Sequence, residues 1–211
     1  MIVIMKNIFK HPVVILANGV FPRHSTPLNL LSSAGTVICT DGSANSLDSL
    51  GLKPHVIIGD NDSIKRKDSF KGLIIDDPNQ NNSDLEKAIE FSVMNNQKGI
   101  VILGATGGRD DMSYANIQLL FKYQEKIAIK MITDHFSIEC LIGSKVFTSF
   151  NGQRISLVTK KHNTTINTLN LKYNINGKIN SSVSLISNES LGNEFTLSSS
   201  EPLIVFRGHK K

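Results

Sequence analysis

The chain has 211 residues, 40% of them hydrophobic and 19% charged, with a formal net charge of +5. That length supports a sizeable core in one or two domains, and the composition is that of an ordinary soluble globular protein. No apolar run approaches the roughly 20 residues that span a bilayer, the six histidines form no HExxH-type pair, and the dense basic run is confined to Arg207–Lys211, which argues against a histidine metal centre and against nucleic acid.

The opening segment, MIVIMKNIFKHPVVILANG, is apolar in patches that Lys6 and Lys10 interrupt, with no clean small-residue cleavage site. It reads as containing the first strand rather than a signal peptide. Further β-branched, nearly continuous apolar runs follow at 36–42, 55–60, 72–77, 99–105 and 126–134, as expected for strands covered on both faces. Helical spacing lies between several of them. Ser83–Gln97 places Leu85, Ala88, Ile89 and Val93 on one face, and Asp111–Gln124 does so with Ala115, Ile117, Leu120 and Phe121. Strands alternating with helices predict a mostly parallel α/β sheet.

After about residue 135 the rhythm becomes alternation: Ile155 and Leu157; Leu169, Leu171, Tyr173 and Ile175; Val183 and Leu185; Phe195 and Leu197. Ser, Asn, Thr and Gly fill the breaks, which predicts a small antiparallel β-sandwich or barrel. The expected fold class is therefore α/β, with an α/β domain over residues 1–137 and an all-β domain over 138–211. Cys39 and Cys140 each sit in an apolar run and are expected to be reduced and buried.

Ligands of parallel α/β sheets bind beyond the carboxyl ends of the strands. Asp41, Asp60, Asp62, Asp76 and Asp77 all follow apolar runs and so fall on that edge. Asp60 and Asp62 are two positions apart; their mutual repulsion calls for a solvated turn, a cation or another partner. Bland roles are open to each: a strand-ending turn for Asp60 and Asp62, a helix cap for Asp41, and a weak ion pair between Asp84 and Lys87. Ser83-Asp84-Leu85-Glu86 fits a capping box, with Glu86 reaching back to Ser83.

The loop GATGGR (104–109) follows a strand and precedes a helix. Its glycines let backbone amides approach an anion, and Arg109 adds a planar donor fork suited to phosphate. It lacks the Lys-Ser/Thr of a P-loop. Beside several carboxylates, it suggests a site for a hard divalent cation and a polyphosphate.

The ordered set DGSAN (41–45), PHVIIGDNDSI (54–64), NQNNSDLEKAI (79–89) and GATGGRDDMSYAN (104–116), with LKYNI (171–175) and SNES (187–190), resembles the thiamine pyrophosphokinase family from about residue 12 to 208. The resemblance implies an N-terminal domain for ATP and Mg²⁺, a C-terminal β domain that helps to bind thiamine, and a homodimer with thiamine at the subunit interface; the missing signal and the ATP substrate lead us to expect a cytoplasmic location. It implies Asp41, Asp60, Asp62 and Asp84 as metal-site acids, with Asp60, Asp62, Asp84, Arg109 and Asp111 catalytic. ATP falls to Asp41, Thr106, Gly107, Gly108, Arg109 and Lys87. Thiamine falls to Gln80, Ser83, Tyr173, Ser187 and Asn188. The chain departs from the family pattern at Ser43 for glycine, Asn61 for phenylalanine, Ser83 for threonine and Met112 for histidine, and it has no tryptophan. A pyrophosphokinase for another small alcohol, such as a pterin, and a nucleotide-sensing module without catalysis are the rival readings.

Overall fold

The apolar runs of the first half become parallel strands because a chain rich in Val and Ile packs well on a pleated surface buried on both sides. A computed structural model of the chain describes residues 9–48, 50–60, 70 and 72–210. The chain divides into two compact units, Met1–Asp134 and His135–Lys211.

In the first unit the strands are β1 (Val13–Leu16), β2 (Thr36–Thr40), β3 (Val56–Gly59), β4 (Leu73–Asp76), β5 (Gly99–Leu103) and β6 (Ala128–Ile132). They lie in the order β6-β5-β1-β2-β3-β4, and every pairing is parallel. Among the described residues of this unit the helices are α1 (Ser25–Ser32), α2 (Ser43–Asp48), α3 (Asp84–Met94) and α4 (Asp110–Tyr123). The first two are too short for a helical face to stand out in the sequence. The apolar core holds Val14, Leu16, Leu31, Val37, Cys39, Leu47, Ile57, Leu103 and Ile132.

Two features of the helices differ from expectation. Ser83 does cap α3, accepting from the Glu86 amide at 3.3 Å. Glu86, however, does not reach back. Its carboxylate accepts from Tyr123 Oη at 2.7 Å and pairs with Lys122, while the same phenol lies 2.9 Å from Glu90. A buried phenol and a neighbouring ammonium outcompete the Ser83 amide for that carboxylate. The buried side of α4 is also turned: Asn116, Leu119, Leu120, Phe121 and Tyr123 face inward and Ala115 is exposed. Asn116 can be buried because its Nδ2 donates to the Ala105 carbonyl at 2.8 Å.

The second unit contains β7 (Phe136–Thr148), β8 (Arg154–Thr159), β9 (Thr164–Leu169), β10 (Asn176–Ile179), β11 (Asn188–Glu189) and β12 (Glu194–Gly208), all antiparallel to their neighbours. The long β12 pairs with β7 along its length, with a register shift between Ser199 and Leu203. Before the shift it also pairs with β9, and after it with β8. The core includes Leu141, Ile155, Leu157, Ile166 and Leu203, with Phe147 and Phe195, register partners, stacked at 5.0 Å.

Alternation misleads at two places. The run Leu169–Ile175 is not one strand: β9 ends at Leu169 and Asn170 turns with φ +65°. Val183–Leu185 lies in a 3₁₀ turn over Ser182–Leu185 that leaves Val183 exposed. Asn and Ser bond their own backbone locally and so favour such turns over a ladder.

Candidate active site

β1 is the switch point of the parallel sheet, because β2 lies on one side of it and β5 on the other. The loops after β1 and β5 diverge there and are stitched together. Gly19 donates to the Gly104 carbonyl at 2.7 Å and Val20 to the Thr106 carbonyl at 3.1 Å. A groove of about 410 Å³ opens at this point, lined in part by Asn18, Thr40, Asp84, Thr106, Gly108 and Arg109.

Three carboxylates converge on the same edge. Asp41 follows β2 and is buried, Asp60 follows β3 and is exposed, and Asp84 opens α3 half-buried. One oxygen from each lies within 4.8 Å of the others. Gly59 makes the approach possible. A Cβ at residue 59 would lie 2.8 Å from Asp41 Cβ and 3.3 Å from Asp84 Cγ and Oδ2. Oxygens that share one Mg²⁺ at about 2.1 Å stand up to about 4.2 Å apart, so this donor set fits a hard divalent cation after a small side-chain adjustment. Asp62 and Asn61 lie outside the described residues.

Lys87, assigned to ATP from the sequence, is turned to the acids. Its Nζ donates to Asp84 Oδ1 at 3.0 Å and to the Asp77 carbonyl at 2.7 Å. Gln80 lies in the exposed loop before α3, 3.4 Å from the Pro78 carbonyl.

The glycine-rich loop holds its shape through Ser113, which sequence reasoning missed. The Ser113 hydroxyl accepts from the Gly107 amide at 3.3 Å and donates to the Arg109 carbonyl at 3.0 Å. Gly107 sits at φ +85°, a conformation that favours glycine. Arg109 is exposed and forms a fork on Asp111, Nη2 to Oδ2 at 2.6 Å and Nε to Oδ1 at 3.1 Å. The guanidinium's hydrogen bonds hold the Asp111 carboxyl below the usual carboxylate range. A solvated pair of this kind is weak, so the fork can exchange one oxyanion for another. The amino end of α4 adds a favourable field for anions.

In the second unit Asn188 is a clamp. Its Oδ1 accepts from the Tyr173 amide at 3.1 Å and its Nδ2 donates to the Tyr173 carbonyl at 2.7 Å. Tyr173 is left 64% exposed, beside a shallow pocket of about 370 Å³ that Asn188, Ile175 and Leu185 also line. Ser187 has φ +63° and donates its amide to Ser156 Oγ at 2.9 Å.

Residues 28–131, which carry this glycine loop and all three clustered acids, match the family described as "Thiamin pyrophosphokinase, catalytic domain". Over that segment the chain is similar to the thiamine pyrophosphokinase family. Thiamine pyrophosphokinase 1 of Arabidopsis thaliana is 34% identical over 156 residues, which make up 61% of this chain and 56% of that protein. Thiamine pyrophosphokinase 1 of Oryza sativa subsp. japonica is 33% identical over 153 residues, 59% of this chain and 56% of that one. The match thus spans little more than half the length of these plant relatives. The crystal structure of thiamine pyrophosphokinase from Bacillus subtilis superposes with a TM-score of 0.77 at 25% identity, covering 94% of this chain and 99% of that one.

Departures from the family pattern acquire local reasons. Ser43, where the pattern has glycine, donates its hydroxyl to the Leu16 carbonyl at 2.7 Å and ties α2 to the end of β1. Met112, where the pattern has histidine, lines the groove and gives that wall an apolar surface. Asn18 and Asn116 belong to the site as well. Their sequence signal is an asparagine closing an apolar strand and an asparagine on the buried side of a helix.

Proposed function

We propose that the protein transfers the pyrophosphoryl group of ATP to the hydroxyl of thiamine, giving thiamine diphosphate and AMP. The observation that carries the reading is the convergence of Asp41, Asp60 and Asp84 beside the Gly107–Arg109 loop at the sheet's switch point. Similarity to the thiamine pyrophosphokinase catalytic domain and to the plant enzymes supports the choice of substrates.

Asp41, Asp60 and Asp84, with Asp62, are the residues that would hold Mg²⁺. The bound ion supplies charge neutralisation to the phosphate oxygens. Arg109 releases Asp111 and takes up oxygens of the transferred group, aided by the Gly108 amide, Thr106 and the positive end of α4. The thiamine hydroxyl oxygen attacks the β-phosphorus in line. The bond from that phosphorus to the α,β-bridging oxygen breaks, and AMP departs with the bridging oxygen. The hydroxyl proton passes to an aspartate at this edge, Asp84 or Asp111. Positioning and electrostatics carry most of the acceleration in such transfers.

Gln80 and Ser83 in the first unit, and Tyr173, Ser187 and Asn188 in the second, are assigned to thiamine. Tyr173 offers an exposed aromatic face for the thiazolium and pyrimidine rings. A cytoplasmic homodimer, with thiamine at the subunit interface, completes the reading. Ile142, Val146 and Leu169 support association, since they leave an apolar patch exposed on the second unit, with Val146 and Leu169 joined in register through Thr196. No described helix is long and apolar enough to cross a membrane.

The test is to incubate the protein with ATP, MgCl₂ and thiamine and to separate the products by chromatography. Equimolar AMP and thiamine diphosphate are expected. ATP binding without AMP points to a sensor, and AMP formed only with another alcohol discards thiamine.

A further inference from the structure

We propose that Lys87 is the positioning residue of the acidic cluster: its ammonium fixes which oxygen of Asp84 faces the other carboxylates and so sets the cluster's affinity for divalent cation. The inference rests on the reading above, in which the cluster holds Mg²⁺.

Lysine is among the residues least often buried, and burying its charge is costly unless it is paired. The Lys87 side chain is only 4% exposed, against 34% for Asp84. An ordinary surface pair three residues apart on a helix would contribute little. This one is different because the lysine end is enclosed and bonded twice. Nζ holds Asp84 Oδ1 at 3.0 Å and the Asp77 carbonyl at 2.7 Å. The Asp77 amide in turn donates to the Gly59 carbonyl at 2.9 Å. A continuous path of hydrogen bonds therefore runs from the residue before Asp60, through the loop after β4, to the first residue of α3.

The consequence falls on Asp84. Oδ1 is occupied on the lysine side, and Oδ2 lies toward Gly59, 3.3 Å from where a Cβ on that residue would stand. A carboxylate with no such anchor would swing away from two like charges within 4.8 Å. With its side chain 4% exposed and Nζ bonded to Asp84 and the Asp77 carbonyl, Lys87 acts through Asp84.

The experiment titrates Mn²⁺ alone into the full chain, without nucleotide, by calorimetry or electron paramagnetic resonance. Lys87→Met keeps the aliphatic stem and removes the charge; Lys87→Gln is the second variant should the first fail to fold. Melting temperature in chelator reports on the fold. The expected result is a Mn²⁺ affinity lowered about 10- to 100-fold, the range seen when the partner that orients a metal ligand is lost. In an Asp84→Asn background the Lys87 substitution should cost nothing more. Unchanged or tighter Mn²⁺ binding, an equal loss in the Asp84→Asn background, or a wild-type chain that binds no Mn²⁺ overturns the inference. AMP formation by the wild type, measured in parallel, tests the pyrophosphokinase reading separately.

Discussion

Replacing Gly59 by alanine isolates the geometry of the acids from their chemistry. The new methyl would stand 2.8 Å from Asp41 Cβ. Carbon atoms in contact settle near 3.5 Å, so about 0.7 Å must be found by moving Asp41, Asp84 or the end of β3. Asp41 is buried and Asp84 is tied to Lys87, so neither yields freely. Overpacking of this kind costs about 1–3 kcal/mol. A displacement approaching 1 Å in a preorganised site lowers turnover by roughly 10²-fold. The assay is kcat for AMP formation beside a Mn²⁺ titration and a urea unfolding curve. Gly59 does not occupy the left-handed region, so without the clash the alanine should stabilise the fold by about 0.4–1 kcal/mol through the unfolded chain. A stabilised variant with wild-type turnover would refute the reasoning.

Asp60→Asn and Asp62→Asn should each lower kcat by roughly 10²-fold or more with the melting temperature retained; near-normal turnover in both removes the metal role. Tyr123→Phe takes away the hydroxyl that Glu86 and Glu90 share and should cost about 1–3 kcal/mol in urea unfolding, with KM for ATP and thiamine unchanged. Burial pushes the Cys39 thiol up to about 12 and the Cys140 thiol up to about 11. At pH 8 the thiolate fraction of Cys140 is then about 100-fold below that of an ordinary thiol, so native protein should react that much more slowly with a disulfide reagent, with the rate rising about tenfold per pH unit up to about pH 10. Tyr173→Ala should raise KM for thiamine with the fold intact, whereas Asn188→Ala should lower the melting temperature too, because the clamp on the Tyr173 backbone is lost.

The parallel strands were legible because burial on both faces leaves almost no choice but Val, Ile and Leu, as in VVIL, TVICT and GIVIL. The edge that carries Asp41, Asp60 and Asp84 was legible for the same reason, since each acid follows a recognisable strand or opens a recognisable helix. Side-chain direction was not. Sequence spacing places Lys87 one turn from Asp84 but cannot say whether its ammonium reaches solvent, phosphate or the acid. Spacing likewise suggested a reciprocal cap for Glu86, when the competing partner, Tyr123, lies 37 residues away. The same long range hid the role of Asn188, whose partner is the backbone of a loop 15 residues earlier. Leu169–Ile175 deceived because one buried residue, Leu171, is held by a single bridge to Ser190 rather than by a ladder.

The shift between Ser199 and Leu203 has a consequence for how the second unit is made. β12 is the strand on which β7, β8 and β9 all depend, and in chain order it comes after every one of them. During synthesis the three earlier strands leave the ribosome without their common partner, and their apolar sides wait uncovered until residues 194–208 arrive. Assembly of this unit is therefore gated by its last strand, and the exposed interval is when a chaperone would find most to bind.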